Sequence, residues 1–390
     1  MTHNNRNQTS QKAKVTNWTN IIFFTAISLG AVVLPIWYLS VAGFSWWLVA
    51  IFFFMISATC MSITAGYHRF LSHRSYDCHP VVKLVYLLFG AGAFQGSALD
   101  WATDHRIHHR HVDTEKDPHN IHEGFFHAHI GWIFKMDPAH YESREFPKDL
   151  LDDKLVMWQH RNFVLLAILM SFGFPMFLGA LVGHPIGGLV FGGIFRQFVG
   201  SQSTFLINSY AHTFGRRPYS TQQTARDSFV LAILAFGEGY HNYHHQFASD
   251  YRNGVRWYQW DPTKWLISSL SIFNLTYRLK KIPDSDILLA RIRCEQKSLL
   301  QMGVPAEQLL VLRKKVEVAQ QRLRHLYADY QTLKKTVQEE SRIKLITMKA
   351  ELKTAKMEFK AAFAGWRFHM RAWRAIPASK RYQLVAVNPQ

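Results

Sequence analysis

Four long apolar segments limit the folds that this 390-residue chain can adopt. They run from about Asn20 to Ser40, Phe44 to Gly66, Phe163 to Val182 and Ile186 to Asn208. Each reaches the length of about 20 residues that an apolar α-helix needs to cross the hydrocarbon layer of a bilayer. The sequence therefore predicts four transmembrane helices in two pairs, each pair joined by a short turn. Arg196 is the one charged residue in these segments, and it should face the protein interior because a charge facing lipid is costly.

The basic residues predict how these helices are oriented. The N-terminal tail, residues 1–19, carries Arg6, Lys12 and Lys14 and no acidic residue, whereas the turns within the two helix pairs carry no Lys or Arg. Cytoplasmic loops of membrane proteins have an excess of Lys and Arg, so we expect both termini on the cytoplasmic side. A fifth apolar stretch, Val81 to Leu99, contains one Lys and three glycines and is predicted to lie along the membrane surface.

The overall charge and the cysteine content indicate the binding partners and the redox compartment of the chain. The formal net charge is +18, and the three cysteines form no C-x-x-C pair. In a chain with predicted membrane helices, anionic lipid headgroups and a phosphorylated substrate explain the positive charge more simply than nucleic acid does. The sparse cysteines indicate no disulfide framework and agree with a reducing compartment.

Histidines gather just outside the apolar segments. The pattern His-x-x-His-His occurs twice, as HRIHH and HNYHH, while HRFLSH and NSYAH supply three further candidates. On a helix, positions i, i+3 and i+4 share a face, so each pattern is predicted to aim three imidazoles the same way. The nine candidates are His68, His73, His105, His108, His109, His212, His241, His244 and His245. Nine imidazoles exceed the ligands of one first-row metal ion and suit two, so we predict a dimetal centre on the cytoplasmic side.

Zinc is the less favoured metal for this centre. Structural zinc usually recruits cysteine and closes with four ligands, and the cysteines of this chain have no such spacing. Divalent-metal transport is also less favoured, because the apolar segments contain Arg196 but no acidic residue along a possible pathway.

Four stretches of the chain resemble the membrane acyl-CoA desaturases of the stearoyl-CoA type. They are ITAGYHRFLSH, DHRIHHRHVDTEKDPHN, NSYAH and GEGYHNYHHQFASDYR, within a match that covers about residues 20 to 282. The resemblance implies that the nine histidines bind two irons, with Asn208 near one of them through water. It also implies an acyl-CoA desaturase: saturated acyl-CoA, O2, two electrons and two protons give cis-monounsaturated acyl-CoA, with the double bond expected at carbon 9, and two waters.

Residues around the histidines have expected supporting roles. We predict that Asp104, Asp113 and Glu238 accept hydrogen bonds from imidazole N–H groups. Asp117 and His119, in the DPHN turn, are interpreted as structural.

An apolar tunnel should hold the acyl chain beside the metals. Ile56 and Cys60 precede His68 in steps of four on one helix face and are candidates for the tunnel end, although ordinary helix packing is an open alternative. Trp101 is predicted to hold the bend of the chain, with Trp257 as a further candidate. Arg106 and Arg110 are the predicted partners of CoA phosphates, for which Arg216 and Arg217 are also candidates.

The last quarter of the chain differs in composition. Residues 285–390 contain 21 Lys or Arg and 9 Asp or Glu, and apolar residues recur in heptads from Leu309 to Val337 and from Leu345 to Trp366. We predict a helical hairpin or coiled coil with a break near Glu340. It could dock a partner or a membrane, or be a solvated helix pair, and its basic aromatic end, GWRFHMRAWR, favours the membrane surface.

Together these patterns predict an all-α integral membrane protein in three parts. They are the tail 1–19, a desaturase domain 20–284 with four transmembrane helices and a cytoplasmic helical cap that carries the di-iron site, and the helical extension 285–390. The sequence has no iron–sulfur cysteine spacing, Rossmann fingerprint or haem module, so a separate ferredoxin or b-type cytochrome with its reductase should supply electrons. A membrane di-iron hydroxylase, a desaturase acting on another acyl carrier or lipid, and a coiled-coil scaffold are the alternatives.

Overall fold

A computed structural model describes residues 14–138, 144–335 and 341–377 of the chain. The chain forms two compact units, one from residues up to 216 together with 222–281, and the other from 217–221 together with residues from 282 onward. Arg6 and Lys12 of the tail, and the predicted helix break near Glu340, lie outside the described residues.

Three helices of the first unit are long and apolar enough to cross a membrane. They are Trp18–Ala42, Trp46–Ser72 and Phe163–Leu181, which match the first three predicted segments. Their outward side chains remain uncovered by protein: Ile22 and Ile36, for example, are 65% and 67% exposed. Such apolar faces suit contact with lipid, as expected of a membrane protein.

The fourth predicted segment is helical but less apolar. Three consecutive elements, Pro185–Gly187, Gly188–Phe195 and Arg196–Thr213, make one continuous helical run. This run is not among the three membrane-length apolar helices, because polar residues crowd its second half. Arg196 lies inward as predicted: it is 1% exposed and donates hydrogen bonds to the carbonyl oxygens of Gly92 and Gly192.

The second long helix changes its geometry before it reaches the histidines. It is α-helical from Trp46 to Met61 and becomes a π-helix over Ser62–Ser72. In a π-helix the backbone bonds join residues five apart, and the His73 N–H donates to the carbonyl oxygen of His68 at 3.0 Å. Two residues five apart would point about 140° apart on an α-helix. The π-helix therefore turns His68 and His73 toward the same side.

The predicted surface helix Val81 to Leu99 is two helices rather than one. Pro80–Ala91 ends just before Gly92, the second of the clustered glycines, and Ala98–His111 begins after Ser97, whose hydroxyl accepts from the Asp100 N–H. The hydroxyl of an N-cap serine satisfies an otherwise unpaired backbone donor. The helix Ala98–His111 carries the HRIHH pattern, so the place where it begins determines the direction in which these histidines point.

Short elements complete the described part of the first unit. Two strand pairs are antiparallel, Val15–Thr16 with Lys135–Met136 and Asp77–Cys78 with Thr276–Tyr277. The remaining helices among the described residues of the first unit are Ile121–Glu123, His127–Gly131, Trp132–Phe134, Lys148–Leu151, Lys154–Arg161, Phe229–Leu234, His241–Gln246 and Pro262–Ile272.

In its described residues the second unit contains three helices, Asp284–Gln301, Ala306–Lys335 and Ser341–Ala375. The last two carry the predicted heptads, and their seam is buried around Val316, Phe359 and Trp366. The helix Asp284–Gln301 falls within the predicted extension 285–390 but outside the predicted heptads, and its residues Ile292 and Leu299 join the same core.

The close contact between the helix Phe163–Leu181 and the helical run 185–213 allows a prediction of the effect of one added methyl group. A Cβ at Gly188 would lie 2.9 Å from the Gly179 Cα, whereas a Cβ at the exposed Gly173 would meet nothing nearer than a Leu169 methyl at 3.7 Å. Gly188→Ala should lower the free energy of unfolding by about 1–3 kcal/mol through overpacking, and thus the thermal midpoint of the purified protein in detergent. Gly173→Ala, the same change nearby, should leave that midpoint unchanged or slightly raised; equal destabilisation by both variants would contradict the packing described here.

Candidate metal centre

All nine predicted histidines meet in the first unit, in two groups. One contains His68, His73, His105, His109 and His244, and the other contains His108, His212, His241 and His245. Within each group the ring nitrogens that could bind a metal lie within 4.8 Å of one another. The two groups agree in number with the predicted pair of metal sites.

The histidines point their Nε2 atoms at one another. In the first group, His73 Nε2 lies 2.8 Å from His105 Nε2, and His244 Nε2 lies 2.9 Å from His109 Nε2. In the second group, His245 Nε2 lies 3.0 Å from His241 Nε2. Nitrogen atoms thus converge on two small volumes.

The two His-x-x-His-His patterns divide their histidines between the groups, contrary to the prediction that each pattern aims all three the same way. HRIHH gives its i, i+4 pair, His105 and His109, to the first group and His108 to the second. HNYHH does the reverse, with its i, i+4 pair in the second group and His244 in the first. Each helix lies between the two groups, so residues i+3 and i+4, about 100° apart, reach different sides.

Burial favours the neutral form of an imidazole over the charged form. It lowers the pKa of His105, His109 and His245 well below the usual value, and the neighbouring imidazoles lower it further because adjacent cations would repel one another. The neutral ring is the form that binds a metal ion. The group is therefore prepared for metal binding at neutral pH.

Carboxylates hold two of the rings by their outer nitrogens. His68 Nδ1 lies 2.9 Å from Glu238 Oε2, and His108 Nδ1 lies 2.9 Å from Asp117 Oδ1. Asp117 is 4% exposed, and although burial raises its pKa, His108 and His119 outweigh that effect and lower it overall. The interpretation of Asp117 as merely structural missed this contact, which the DPHN spacing alone could not reveal.

The other predicted acceptors differ in what they contact. Asp113 lies 3.8 Å from His212 Nδ1 and accepts from Thr224 Oγ1, which in turn lies 2.7 Å from that same ring nitrogen. Asp104 accepts from Arg144 at 3.0 Å. Arg144 thus ties Asp104 to the segment before Lys148–Leu151.

A buried arginine extends the support of His68. Arg69, 1% exposed, donates to Glu238 Oε1 at 3.0 Å and to both carboxylate oxygens of Asp261. Asn253 donates to the other oxygen of Glu238 at 2.8 Å. A buried carboxylate that is paired in this way holds its neighbours in a fixed geometry.

This donor set fits a transition-metal ion. A ring that gives its Nδ1–H to a carboxylate keeps a bare lone pair on Nε2, and such lone pairs point inward from His68 and His108. Imidazole nitrogen suits zinc, copper, iron and nickel. Bare lone pairs packed together repel one another, and a cation between them would remove that repulsion. Because the outer nitrogen of His108 faces Asp117, the neighbouring trio His108, Asp117 and His119 is a support of the second group.

A cavity reaches the histidines from the apolar side. It is lined by Cys60, Ile63, Thr64, His68, Trp101, His105, His108, Ser203, Thr204, Ile207, Asn208, Ala235, Glu238 and His241. Asn208, the proposed water-mediated neighbour of a metal, therefore faces the same space as both groups. Cys60 lines this cavity, whereas Ile56 is buried one turn earlier and packs toward Gly200.

A second cavity shares a wall with the first. Trp101, His105, Thr204 and Asn208 line both. Trp101 stacks on the His105 ring with centroids 4.9 Å apart, and its Nε1–H donates to Gln95, whose amide donates to Thr204 at 2.8 Å. Trp101 is thus fixed where the two cavities meet. Gln95 and Thr204 were not predicted, since neither belongs to a histidine pattern.

The remaining predicted substrate residues lie elsewhere. Arg106 is held by Asp149 at 2.8 Å and by the carbonyl oxygens of Leu71 and Ser72, so its guanidinium anchors the helix rather than facing a ligand. Arg110 is exposed. Trp257 is 84% exposed, which disagrees with a role in a buried tunnel.

The membrane-length helices and the two histidine groups define a membrane protein with an imidazole-rich candidate metal centre. The sequence model of the family "Fatty acid desaturase" matches residues 44–278, a range that includes all nine histidines. The chain belongs to the fatty acid desaturase family.

Individual relatives agree with this assignment. Acyl-CoA desaturase 1 of Saccharomyces cerevisiae is 39% identical over 73% of this chain, and stearoyl-CoA desaturase of Homo sapiens is 36% identical over 71%. The sn-1 stearoyl-lipid 9-desaturase of Anabaena variabilis is 34% identical over 70%. The matches cover 55%, 77% and 96% of these relatives respectively, so the chain spans about half of the yeast protein.

The contact between Asp117 and His108 predicts a loss of metal affinity. Asp117→Asn keeps the side-chain shape but replaces a charged acceptor of the His108 Nδ1–H with a neutral amide. A lost outer partner of a metal-binding histidine typically costs 10–100-fold in affinity, so iron retention against a competing chelator should fall by about that factor. Glu115→Gln makes the same change on an exposed side chain two residues away and should have no effect. Full iron retention in Asp117→Asn would argue against the proposed support of His108.

Proposed function

We propose that this chain is an acyl-CoA desaturase that inserts a cis double bond at carbon 9 of a saturated long-chain acyl-CoA. The observation that carries the proposal is the meeting of the two histidine groups with a largely apolar cavity. Family membership and the names of the yeast and human relatives support the same activity.

The nine histidines, in groups of five and four, would hold two irons, and Asn208 would contribute through water. When bound, these irons would supply the O2-dependent oxidation that no side-chain acid or base can perform on an unactivated methylene. Glu238 and Asp117 would fix the rotation and tautomer of His68 and His108. The proposed reaction consumes O2, two electrons and two protons and releases two waters.

The cavities suggest how an acyl chain is positioned. The tail would occupy the cavity beside Cys60, and the chain would bend at Trp101, which is held in place by Gln95. The second cavity, with Arg144 and Asn20 in its wall, would lead toward the headgroup. Apolar walls exclude bulk water from the reacting carbon, which prevents side reactions.

The same proposal includes a topology and an electron source. We place the helical run 185–213 as a fourth membrane span, because the buried hydrogen bonds of Arg196 remove the cost of its charge. Four spans would put both termini and the histidine groups on the cytoplasmic side. A separate ferredoxin or b-type cytochrome would deliver the two electrons there.

Two histidines of one helix provide a sharp test of the activity. Expression in a host that lacks its own desaturase should yield new cis-monounsaturated fatty acids, measured by gas chromatography and mass spectrometry of total lipids. His108→Ala should abolish them, because it removes one of four ligands of the second group. His111→Ala, at the end of the same helix but outside both groups, should retain them.

Other products would lead to different conclusions. Hydroxy acids would favour a di-iron hydroxylase. Purified enzyme that converts stearoyl lipid but not stearoyl-CoA would show a lipid carrier and contradict the proposed substrate.

The position of Cys60 in the cavity wall predicts that the size of this side chain limits the chain length of the product. Cys60→Trp should fill the cavity near its apolar wall and shift the product profile toward shorter acids, because a long tail would no longer fit. Phe53→Trp changes a lipid-facing residue of the same helix, 60% exposed, and should leave the profile unchanged. An unchanged profile in an active, folded Cys60→Trp enzyme would remove Cys60 from the tunnel.

A further inference from the structure

The outer surface of the helix Ser341–Ala375 separates its charges to an unusual degree. Its inner face packs through Leu352, Phe359 and Trp366 into the core of the second unit. On the exposed side, six basic residues recur at intervals of three, four or seven residues. They are Lys349, Lys353, Lys356, Lys360, Arg367 and Arg371. At about 100° per residue these six fall within a sector of about 60°, which we call the basic row.

An apolar row runs beside the basic row. It consists of Ile346, Ala350, Met357, Ala361, Ala364 and Phe368. Ile346, Met357 and Phe368 are 65%, 55% and 72% exposed. The described part of the chain leaves these three large side chains without a covering partner.

The acidic residues of this helix lie away from the basic row. Glu351 and Glu358 project from its far edge, beyond the apolar row, and Glu358 pairs with Arg322 of the helix Ala306–Lys335 at 2.8 Å. Apart from Lys344, which lies at the acidic edge, the exposed surface is ordered as a basic row, then an apolar row, then an acidic edge. A helix that is merely solvated has no physical need for this order, since intermixed charges would be equally soluble.

We propose that the basic and apolar rows of Ser341–Ala375 bind the surface of a membrane that contains anionic lipids. Basic side chains near such a surface attract its headgroups, while neighbouring apolar side chains enter the boundary between headgroups and acyl chains. From Lys349 to Arg371 the row extends about 33 Å along a straight helix. A flat bilayer can contact this whole length at once.

The charge of the basic row and the presence of membrane-length helices favour a lipid surface over a second copy or another protein as the binding partner. Antiparallel pairing with a second copy through the apolar row would bring two basic rows together, and like charges at that distance repel. An acidic protein would also satisfy the charge, and the crosslinking experiment below distinguishes it from lipid. The chain also carries membrane-length helices, so a lipid surface is always near it.

Photo-crosslinking of the full-length chain tests this proposal without reference to catalysis. Phe368→p-benzoylphenylalanine puts a reactive ketone in the apolar row, and His369→p-benzoylphenylalanine puts it on the next residue, which is exposed toward the acidic edge. Each protein is reconstituted in liposomes of phosphatidylcholine alone or with about 30% phosphatidylglycerol, irradiated, and analysed by intact mass. We expect lipid adducts at position 368, at least about tenfold above position 369 and dependent on the anionic lipid.

Charge-reversal variants separate a specific row from general charge. Lys353→Glu/Lys360→Glu/Arg371→Glu should lower the adduct yield at position 368 by about tenfold or more, as should high salt. Lys314→Glu/Lys315→Glu/Arg324→Glu makes an equal change in net charge on the helix Ala306–Lys335 and should preserve the yield. Adducts with a second chain or another protein, equal yields at 368 and 369, or yields independent of anionic lipid would each overturn the proposal.

Discussion

The mutual approach of nine imidazoles is the constraint on which the first unit depends. Lone pairs aimed at one point repel, so the arrangement forms only if the protein keeps the rings unprotonated and prevents them from rotating away. Burial opposes protonation and lowers the pKa of His105 and His245. Glu238 and Asp117 restrain the rotation of the His68 and His108 rings by contacting their outer nitrogens. A metal ion in each group would turn the repulsion into coordination.

The elements around the centre supply this rigidity. The π-helix Ser62–Ser72 aligns two histidines that an α-helix would separate, and Arg69 from the same segment binds the carboxylates of Glu238 and Asp261 deep in the unit. A contact so far from solvent is weakly screened, so its geometry is held strongly. The helix Trp46–Ser72 is therefore linked to the His68 ring by a short series of buried polar contacts.

Much of this could be predicted from the sequence, because the informative patterns are local. Apolar length predicted four membrane helices, of which three are long and apolar enough in the described structure, and histidine spacing predicted the nine rings that meet. The predictions that failed depended on contacts between separate parts of the chain or on backbone geometry. The division of each His-x-x-His-His pattern between two groups requires knowing that its helix lies between them. The role of Asp117 and the exposed position of Trp257 depend on how distant loops fold back.

The account rests on two groups of nitrogen ligands, and metal analysis tests that directly. Purified full-length chain, loaded anaerobically with iron, should be examined for iron content per chain together with X-ray absorption at the iron edge. The account predicts two irons per chain, each with a first shell dominated by imidazole nitrogen. One iron per chain, or a first shell dominated by oxygen or sulfur, would contradict the two-group centre.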